Sequence, residues 1–377
     1  MTCSGAGLFM KGANRMTGIP VSLLDNIRIS NGPDSLRNYF NDLYHTRRSK
    51  LPELLNDRHL RFYTLFLLKP DIYAFNLQEK LIPVYKWALH VSDRLSETIG
   101  NQIHGGNTAA RRAEIRKDLR TEPEIIPSAL KWIVETGWDA DVPEGSYELL
   151  LERCTAMLLL EFRDKSVLPL IADIIFARNR AGLLIHNLVW LFFEAHDTDS
   201  LCLLAQRLAS ASSADVSLAR KLLRFIPGTG TDKNGSGTDT NTASGADRNS
   251  VTDTMTASGS ALYFKAIRWL SENRPYLYFT GESMQMCTNP LFCQVSLEAK
   301  YLGRHVSPET GRMQIPPRDD EAALLEEFRR LTPAQQRQMA EFSRMMSSRN
   351  IYQWNSWIRL PFFRQLEAAS RTTGGSE

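Results

Sequence analysis

One stretch of this chain occurs a second time in similar form, and that repetition limits what the chain can fold into more than any other feature. Residues 168–192, LPLIADIIFARNRAGLLIHNLVWLF, align without a gap with residues 201–225, LCLLAQRLASASSADVSLARKLLRF, at an offset of 33 residues. The identical pairs are Leu168/Leu201, Leu170/Leu203, Ala172/Ala205, Ala181/Ala214 and Phe192/Phe225. Each copy reads as two amphipathic helices. A lone helical hairpin cannot bury its apolar face, so the repetition predicts that the two copies pack against each other.

The helix-pair pattern extends upstream of the two copies. From Ile125 onwards it predicts three pairs, 126–136 with 147–162, 166–178 with 182–193, and 199–210 with 215–226. In period and apolar pattern, residues 125–226 resemble HEAT-like and armadillo-type helical repeats. The resemblance implies an α-solenoid-like stack of antiparallel helix pairs. The alternative is an irregular all-α globule that contains two similar hairpins.

The rest of the chain also shows the 3.6-residue period, so the predicted fold class is all-α. Helices are predicted at 35–45, 57–69, 78–99, 108–120 and 290–302, from 261 onwards, and after the Thr-Pro-Ala-Gln capping box at 332–335. Pro33, Pro70 and Gly100–Gly106 are predicted breaks, and Pro83 a helix start or a kink. A chain of 377 residues exceeds the size of one compact core.

The sequence divides into six predicted segments. They are a flexible N-terminus (1–32), an N-terminal helical region (33–124), the helix-pair repeats (125–227), a disordered linker (228–260), a C-terminal helical subdomain (261–369) and a frayed tail (370–377). The linker consists almost entirely of small and polar residues, which have nothing to bury. Its glycines lack the Lys-Ser/Thr ending of a P-loop, and Ala243 stands where a calcium loop needs a glutamate.

Charge and cysteine content exclude little. A formal net charge of +3 permits contact with an anionic partner without demanding one. The five cysteines are scattered, which is typical of free thiols in a reducing compartment. Cys287, Cys293 and His305 lack the fourth ligand of a structural zinc site. With no secretory signal and no apolar run long enough to span a bilayer, we expect a cytoplasmic protein without a membrane segment, metal or cofactor.

The strongest candidate surface for a protein partner lies in WLSENRPYLYFTGESMQM, residues 269–286, which breaks the helical period. It concentrates the residue types that dominate binding hot spots: Trp269, Arg274, Tyr276, Tyr278 and Phe279. The opposing interpretation is that these aromatic residues close the end of the helix stack as a cap. The same two interpretations apply to Trp354, Trp357, Phe362 and Phe363.

Two basic stretches offer an alternative partner, nucleic acid. The residues concerned are Arg47, Arg48, Arg111, Arg112, Arg116 and Lys117. Arginine and lysine on one helical face neutralise phosphates, and some HEAT-like proteins bind DNA or act on its bases. Acidic residues interleave with the second stretch and the net charge is small, so ordinary solvated helix faces are the favoured interpretation of both stretches.

The sequence contains no recognisable catalytic motif. Glu194 and His196 lie near a predicted helix end, but no HExxH or G-x-S-x-G pattern accompanies them. We therefore predict a non-catalytic protein–protein interaction or scaffold module that uses a helical surface and binds a protein still to be identified. The alternative is a nucleic-acid-binding protein that resembles HEAT-like repeats and acts on DNA bases. A hydrolase with a site near residues 269–286 is a third, weaker prediction.

Overall fold

The computed structural model describes residues 20–103, 124–138, 145–226, 248–282 and 290–373. Over these residues it contains sixteen α-helices and one two-stranded sheet, which confirms the predicted all-α class. The chain forms two compact units, Met1–Val167 and Leu168–Glu377. Each unit contains a buried apolar cluster of its own.

The described part of the first unit contains six α-helices. They are α1 (Leu23–Thr46), α2 (Leu51–Leu55), α3 (Phe62–Ala74), α4 (Pro83–Ile103), α5 (Ile125–Gly137) and α6 (Ser146–Ala156). The predicted helix start at Pro83 is confirmed. The predicted helix at 108–120 lies outside the described residues.

Helix α1 begins earlier than the sequence predicted. Residues 23–32, which we assigned to a flexible N-terminus, are helical. A kink at Gly32, with φ 86°, divides α1 directly before Pro33, so the predicted break appears as a bend within one helix. Glycine adopts this φ without the steric penalty that a Cβ atom would bring.

A buried polar cluster anchors the start of α1. The carboxylate of Asp25 accepts hydrogen bonds from the hydroxyls of Ser22 and Thr64 and from the backbone amide of Arg61. Arg28 Nε donates to Thr64 Oγ1 at 2.8 Å. Burial raises the pKa of Asp25. Because unpaired buried polar groups are costly, this mutually satisfied cluster ties α1 to α3 and explains why the segment is ordered.

Helix α3 passes through Pro70, where we had predicted that it ends. An internal proline removes one hydrogen bond and costs about 3 kcal/mol. Leu68 and Ile72, on either side of Pro70, are fully buried. Burying two such side chains contributes about 1.5–3 kcal/mol each, which offsets the cost and lets the helix continue to Ala74.

The first predicted helix pair, α5 with α6, packs within the first unit. The Trp132 ring stacks on Tyr85 of α4 at 4.2 Å, and Tyr147 stacks on Phe62 of α3 at 6.1 Å. The second and third predicted pairs belong to the second unit. All three pairs are present as helices, but a continuous stack over residues 125–227 is not confirmed.

The described part of the second unit contains ten α-helices and two short strands. The helices are α7 (Leu168–Arg180), α8 (His186–Glu194), α9 (Leu201–Gln206), α10 (Ser213–Leu223), α11 (Arg248–Asn273), α12 (Leu297–Tyr301), α13 (Asp319–Arg329), α14 (Pro333–Arg349), α15 (Ile351–Trp357) and α16 (Phe362–Thr373). The strands are β1 (Leu277–Phe279) and β2 (Cys293–Val295), which pair antiparallel.

The two copies of the repeated sequence pack against each other, as the repetition predicted. Asp173 of α7 forms an ion pair with Arg207, whose guanidinium also lies 5.1 Å from the Phe176 ring centroid. Arg180 donates to both carboxylate oxygens of the buried Asp215 at 2.8 Å. The two ion pairs join residues 34 and 35 positions apart, close to the repeat length.

The sheet corrects one helix prediction. Residues 290–302 were expected to form a single helix, but β2 and the short helix α12 occupy this stretch. Ser296 separates them as the N-cap of α12, its hydroxyl accepting from the amide of Ala299 at 3.3 Å. A serine cap favours a helix start at this position, and the β-branched Val295 before it favours the strand.

Two predicted boundaries of the linker and tail also differ. Helix α11 begins at Arg248, inside the segment assigned to the linker, and residues 228–247 lie outside the described residues. Extending a formed helix costs far less than starting one, so α11 runs back beyond the amphipathic segment that begins at 261. Helix α16 similarly continues to Thr373, into the predicted frayed tail.

Several helices end in a left-handed residue. After α7 this residue is Gly182, with φ 73°, and the amide of Leu183 donates to the carbonyl of Arg178. The corresponding position is Asn76 (φ 53°) after α3 and His196 (φ 48°) after α8, and Arg163 (φ 54°) follows the π-turn Met157–Glu161. The left-handed residue lets the orphan carbonyls of the last turn find donors.

Candidate functional site

The aromatic segment that the sequence singled out is largely packed inside the second unit. Tyr276 and Phe279 are buried, which is a correction, because a buried ring offers no surface to a partner. Tyr278 is half-buried, and its hydroxyl donates to Gln294 Oε1 at 2.6 Å. Arg274 is paired with Asp199 at 2.6 Å, and Trp269 is half-buried on α11. Tyr276 and Phe279 are therefore packing residues of the second unit, and both the cap and the partner surface in this segment stay predictions.

The two residues considered for catalysis flank a very small cavity beside β1. Its walls include Phe193, Glu194, His196, Phe279 and Phe292, and the His196 ring stacks on Phe279 with centroids 5.0 Å apart. The enclosed volume is about 10 Å³, which is the room that a single water molecule needs. A substrate does not fit, so this cavity gives the hydrolase prediction no support.

The basic residues predicted to contact nucleic acid are only partly described. Arg47 and Arg48 are both exposed, and the Arg48 guanidinium lies 4.8 Å from the Tyr44 ring centroid. The remaining four, Arg111, Arg112, Arg116 and Lys117, lie outside the described residues. The structure therefore describes two of the six predicted cations, and both are exposed.

A different site emerges at the C-terminal end of the second unit, and hydrogen bonds fix its framework. Ser343 Oγ on α14 donates to the carbonyl of Tyr301 at 2.6 Å and accepts from Trp354 Nε1 at 2.7 Å. The buried Gln365 accepts from the Tyr301 hydroxyl at 2.6 Å and donates to the carbonyls of Ile358 and Leu360. These bonds hold α15 and the loop after it in a defined orientation.

This framework leaves an open groove between α14 and α15, which we call the C-terminal groove. It is lined by Met346, Tyr352, Gln353, Ser356, Trp357 and Leu360, has a volume of about 430 Å³, and is mainly apolar. Asn350 sets its shape, because its side chain caps α15 by accepting from the amides of Tyr352 and Gln353 at 3.0 and 3.1 Å. The capped helix and its neighbour thus frame a shallow, largely open concave surface.

Large apolar side chains are exposed at and around the C-terminal groove. Tyr352 is 81% exposed and Phe363 63%, and Ile351 and Leu360 are also exposed. Exposed apolar residues that are scattered singly are normal, whereas large exposed apolar patches are typical of interaction sites. Trp357 forms the buried floor, with its indole N–H donating to the Gln365 carbonyl at 3.4 Å.

The surroundings of the C-terminal groove are positively charged. Residues 342–366 contain four arginines and no aspartate, glutamate or lysine. Arg344 is paired with Glu272 and Glu341, and Arg364 with Glu367. Arg349 and Arg359 are exposed, and neither has an ion-pair partner in the part of the chain that the structure describes.

The sequence shows the aromatic density of this region but not which side chains are exposed. Of the predicted residues, Trp357 is buried, Trp354 and Phe362 are half-buried, and Phe363 is exposed. The predicted residues did not include Tyr352, whose side chain is 81% exposed. The available signal was Asn350: with that cap as the start of α15, helical spacing places Trp354 and Trp357 inward on one face and Tyr352 outward.

No family model, no curated protein and no solved structure matches this chain. Among the helices searched over the described residues, none combines the length and apolarity that a bilayer crossing requires. The same residues contain no group of three His, Cys, Asp or Glu side chains placed to hold a metal ion, and Cys287 lies outside them. Cys293 is buried in β2, and burial raises the pKa of its thiol.

Proposed function

We propose that this protein is a non-catalytic protein-binding module and that its partner docks in the C-terminal groove. The observation that carries the proposal is the cluster of exposed apolar side chains, Tyr352, Leu360 and Phe363, around a preformed groove floored by Trp357. Tyrosine and tryptophan are enriched among residues that dominate binding energy, and they bring large contact areas at low cost in conformational entropy.

The framework beneath the groove supports this function. Trp354 donates to Ser343, and Gln365 donates to the two loop carbonyls, so the groove is organised before any partner arrives. A preorganised surface loses less conformational entropy on binding than a flexible one. The proposal moves the binding surface from the segment 269–286, where the sequence placed it, to residues 346–363.

The test is site-specific photo-crosslinking in cells of the source organism. A photoreactive phenylalanine analogue replaces Tyr352 in one variant and Phe264 in the control. Phe264 is 67% exposed on α11 and belongs to the same unit but not to the groove. We expect a discrete adduct from position 352 that is absent from position 264 and survives nuclease treatment and a salt wash.

The captured protein is then purified and titrated against three forms of the chain: wild type, Tyr352→Ala and Phe264→Ala. A hot-spot side chain contributes about 2 kcal/mol or more, so Tyr352→Ala should weaken binding by about thirtyfold, whereas Phe264→Ala should leave it unchanged. Equal affinity for all three forms would refute a groove-centred interaction. An adduct that nuclease abolishes would favour the nucleic-acid alternative instead.

A further inference from the structure

We infer that the partner's docking element is an acidic amphipathic helix. This inference rests on the proposed function and specifies its partner class. Two features of the groove carry it: the hydrogen-bonding state of its backbone and the charge of its rim.

The backbone around the C-terminal groove has no edge that an extended peptide can pair with. Its lining residues lie on α14, on α15 and, for Leu360, in the loop that follows α15. The helical backbone groups are engaged within the helices, and in the loop the carbonyls of Ile358 and Leu360 accept from Gln365. An extended segment in this apolar groove would leave those of its amides and carbonyls that face the groove without partners, at a cost of about 1–3 kcal/mol for each one that becomes buried. A helix satisfies these groups internally and inserts only side chains.

The rim of the groove selects the partner's charge. Arg349 lies one helical turn after Met346, on the same face of α14, and Arg359 precedes Leu360 in the chain. With no carboxylate between 342 and 366, both guanidinium groups lack a local counter-charge in sequence. Aspartate or glutamate beside the partner's apolar stripe would supply it, with the strong hydrogen bonds that arginine makes to carboxylates.

Two other occupants fit this surface less well. In a symmetric dimer of this chain the same patch would meet itself, which would bring Arg349 and Arg359 towards the same residues of the second copy. An anionic bilayer would match the charge, but a lipid surface cannot fill a concave site. Both alternatives are included as outcomes of the test.

The experiment is a selection of random 16-residue peptides, displayed on phage, on the immobilised full-length chain. We expect enriched peptides to carry apolar residues at i, i+3, i+4 and i+7 with flanking Asp or Glu. The enriched peptides are then synthesised and titrated against the chain. The double variant Arg349→Glu/Arg359→Glu should bind them at least tenfold more weakly than the wild-type chain does. The matched control is Arg330→Glu/Arg337→Glu, an equal charge change at two exposed arginines outside the groove, and it should keep the wild-type affinity. Circular dichroism checks that each variant folds.

Charge exchange sharpens the test. Peptides whose acidic residues are changed to Lys should no longer bind the wild-type chain and should bind the Arg349→Glu/Arg359→Glu variant. Enriched peptides that are apolar but uncharged, and that lose binding on Tyr352→Asp, would overturn the charge inference and leave the proposed function standing. Enriched peptides indifferent to Tyr352→Asp would overturn both.

Three further outcomes would also overturn the inference. One is that no peptide is enriched. The second is that the chain binds vesicles of phosphatidylcholine with phosphatidylserine and no peptide. The third is a dimer in sedimentation that Tyr352→Asp dissociates. The crosslinking experiment decides the proposed function independently of all three, because it requires no assumption about the partner's structure.

Discussion

Two aromatic segments of the second unit have similar compositions and opposite placements. The segment from Arg274 to Phe279 buries Tyr276 and Phe279, while the region from Ile351 to Phe363 exposes Tyr352 and Phe363. In the first, a strand pair and the His196 ring enclose the aromatic side chains. In the second, Trp357 is buried and Trp354 and Phe362 are half-buried.

The comparison shows that aromatic density alone does not identify a binding surface. What separates the two segments is the number of elements that pack over them. β1 lies between β2 and the loop at Pro308, whose carbonyl accepts from the Phe279 amide at 2.8 Å. Among the described residues lining the C-terminal groove, the walls come from α14, α15 and the following loop, and the groove stays open. Four predictions test this difference.

The largest effect is expected from truncating one ring in each segment. Phe279→Ala removes a buried side chain and should lower the free energy of unfolding by about 3–5 kcal/mol. Phe363→Ala removes an exposed ring and should change it by less than about 0.5 kcal/mol. Urea denaturation followed by tryptophan fluorescence measures both. Similar losses for the two variants would show that the segments do not differ in burial.

The second prediction concerns the framework beneath the groove. Gln365→Leu leaves the Tyr301 hydroxyl without its acceptor and two loop carbonyls without their donor, so we expect a loss of about 1–3 kcal/mol. Gln353→Leu, at an exposed groove position, serves as the matched control and should change stability by less than about 0.5 kcal/mol. The measurement is again urea denaturation. A harmless Gln365→Leu would mean that the loop is held in place by other contacts.

The third prediction uses alkaline pH. Burial raises the pKa of Tyr276, so above pH 10 the unfolded chain releases this proton more readily than the folded chain. The free energy of unfolding should therefore fall with rising pH by up to about 1.4 kcal/mol per unit, and Tyr276→Phe should lack this component. Comparing wild type and variant at pH 8 and pH 11 isolates it, because the other tyrosines are common to both. A difference independent of pH would contradict the prediction.

The smallest effect is expected at the half-buried edge of the sheet. Tyr278→Phe removes the hydrogen bond from the Tyr278 hydroxyl to Gln294, which should cost about 1 kcal/mol. Tyr352→Phe, on the exposed side of the groove, provides the control and should cost less than about 0.5 kcal/mol. Thermal unfolding of both variants measures the two losses of stability. A loss for Tyr352→Phe that equals or exceeds the loss for Tyr278→Phe would contradict the prediction.

Local patterns predicted the helices well, since each helix carries its own signal. The helix pairs and the capping box at Thr332 and Gln335 are both present, the latter with reciprocal hydrogen bonds. The secondary-structure predictions failed where contacts with distant residues determine the local structure. Helix α3 tolerates Pro70 through the burial of Leu68 and Ile72, and β2 exists because β1, sixteen residues away at Tyr278/Gln294, pairs with it.

The candidate site was harder to predict than the fold. The period of residues 351–358 could have oriented Tyr352 outward once Asn350 was taken as the cap. The groove itself depends on the Tyr301–Gln365 hydrogen bond, which spans 64 residues and carries no local signature. The charge around the groove could be predicted, because the absence of acidic residues from 342 to 366 is visible in the sequence alone.

The left-handed helix ends have a consequence for the stability of this molecule. Gly182 fills that position at no steric cost, whereas Arg163 and Asn76 occupy it with a side chain, against a penalty of about 1–2 kcal/mol for an ordinary residue and less for asparagine. His196 also occupies it, and its ring stacks on Phe279 in return. Each non-glycine residue at such a helix end therefore lowers the stability below what the same backbone would reach without a Cβ atom at that position.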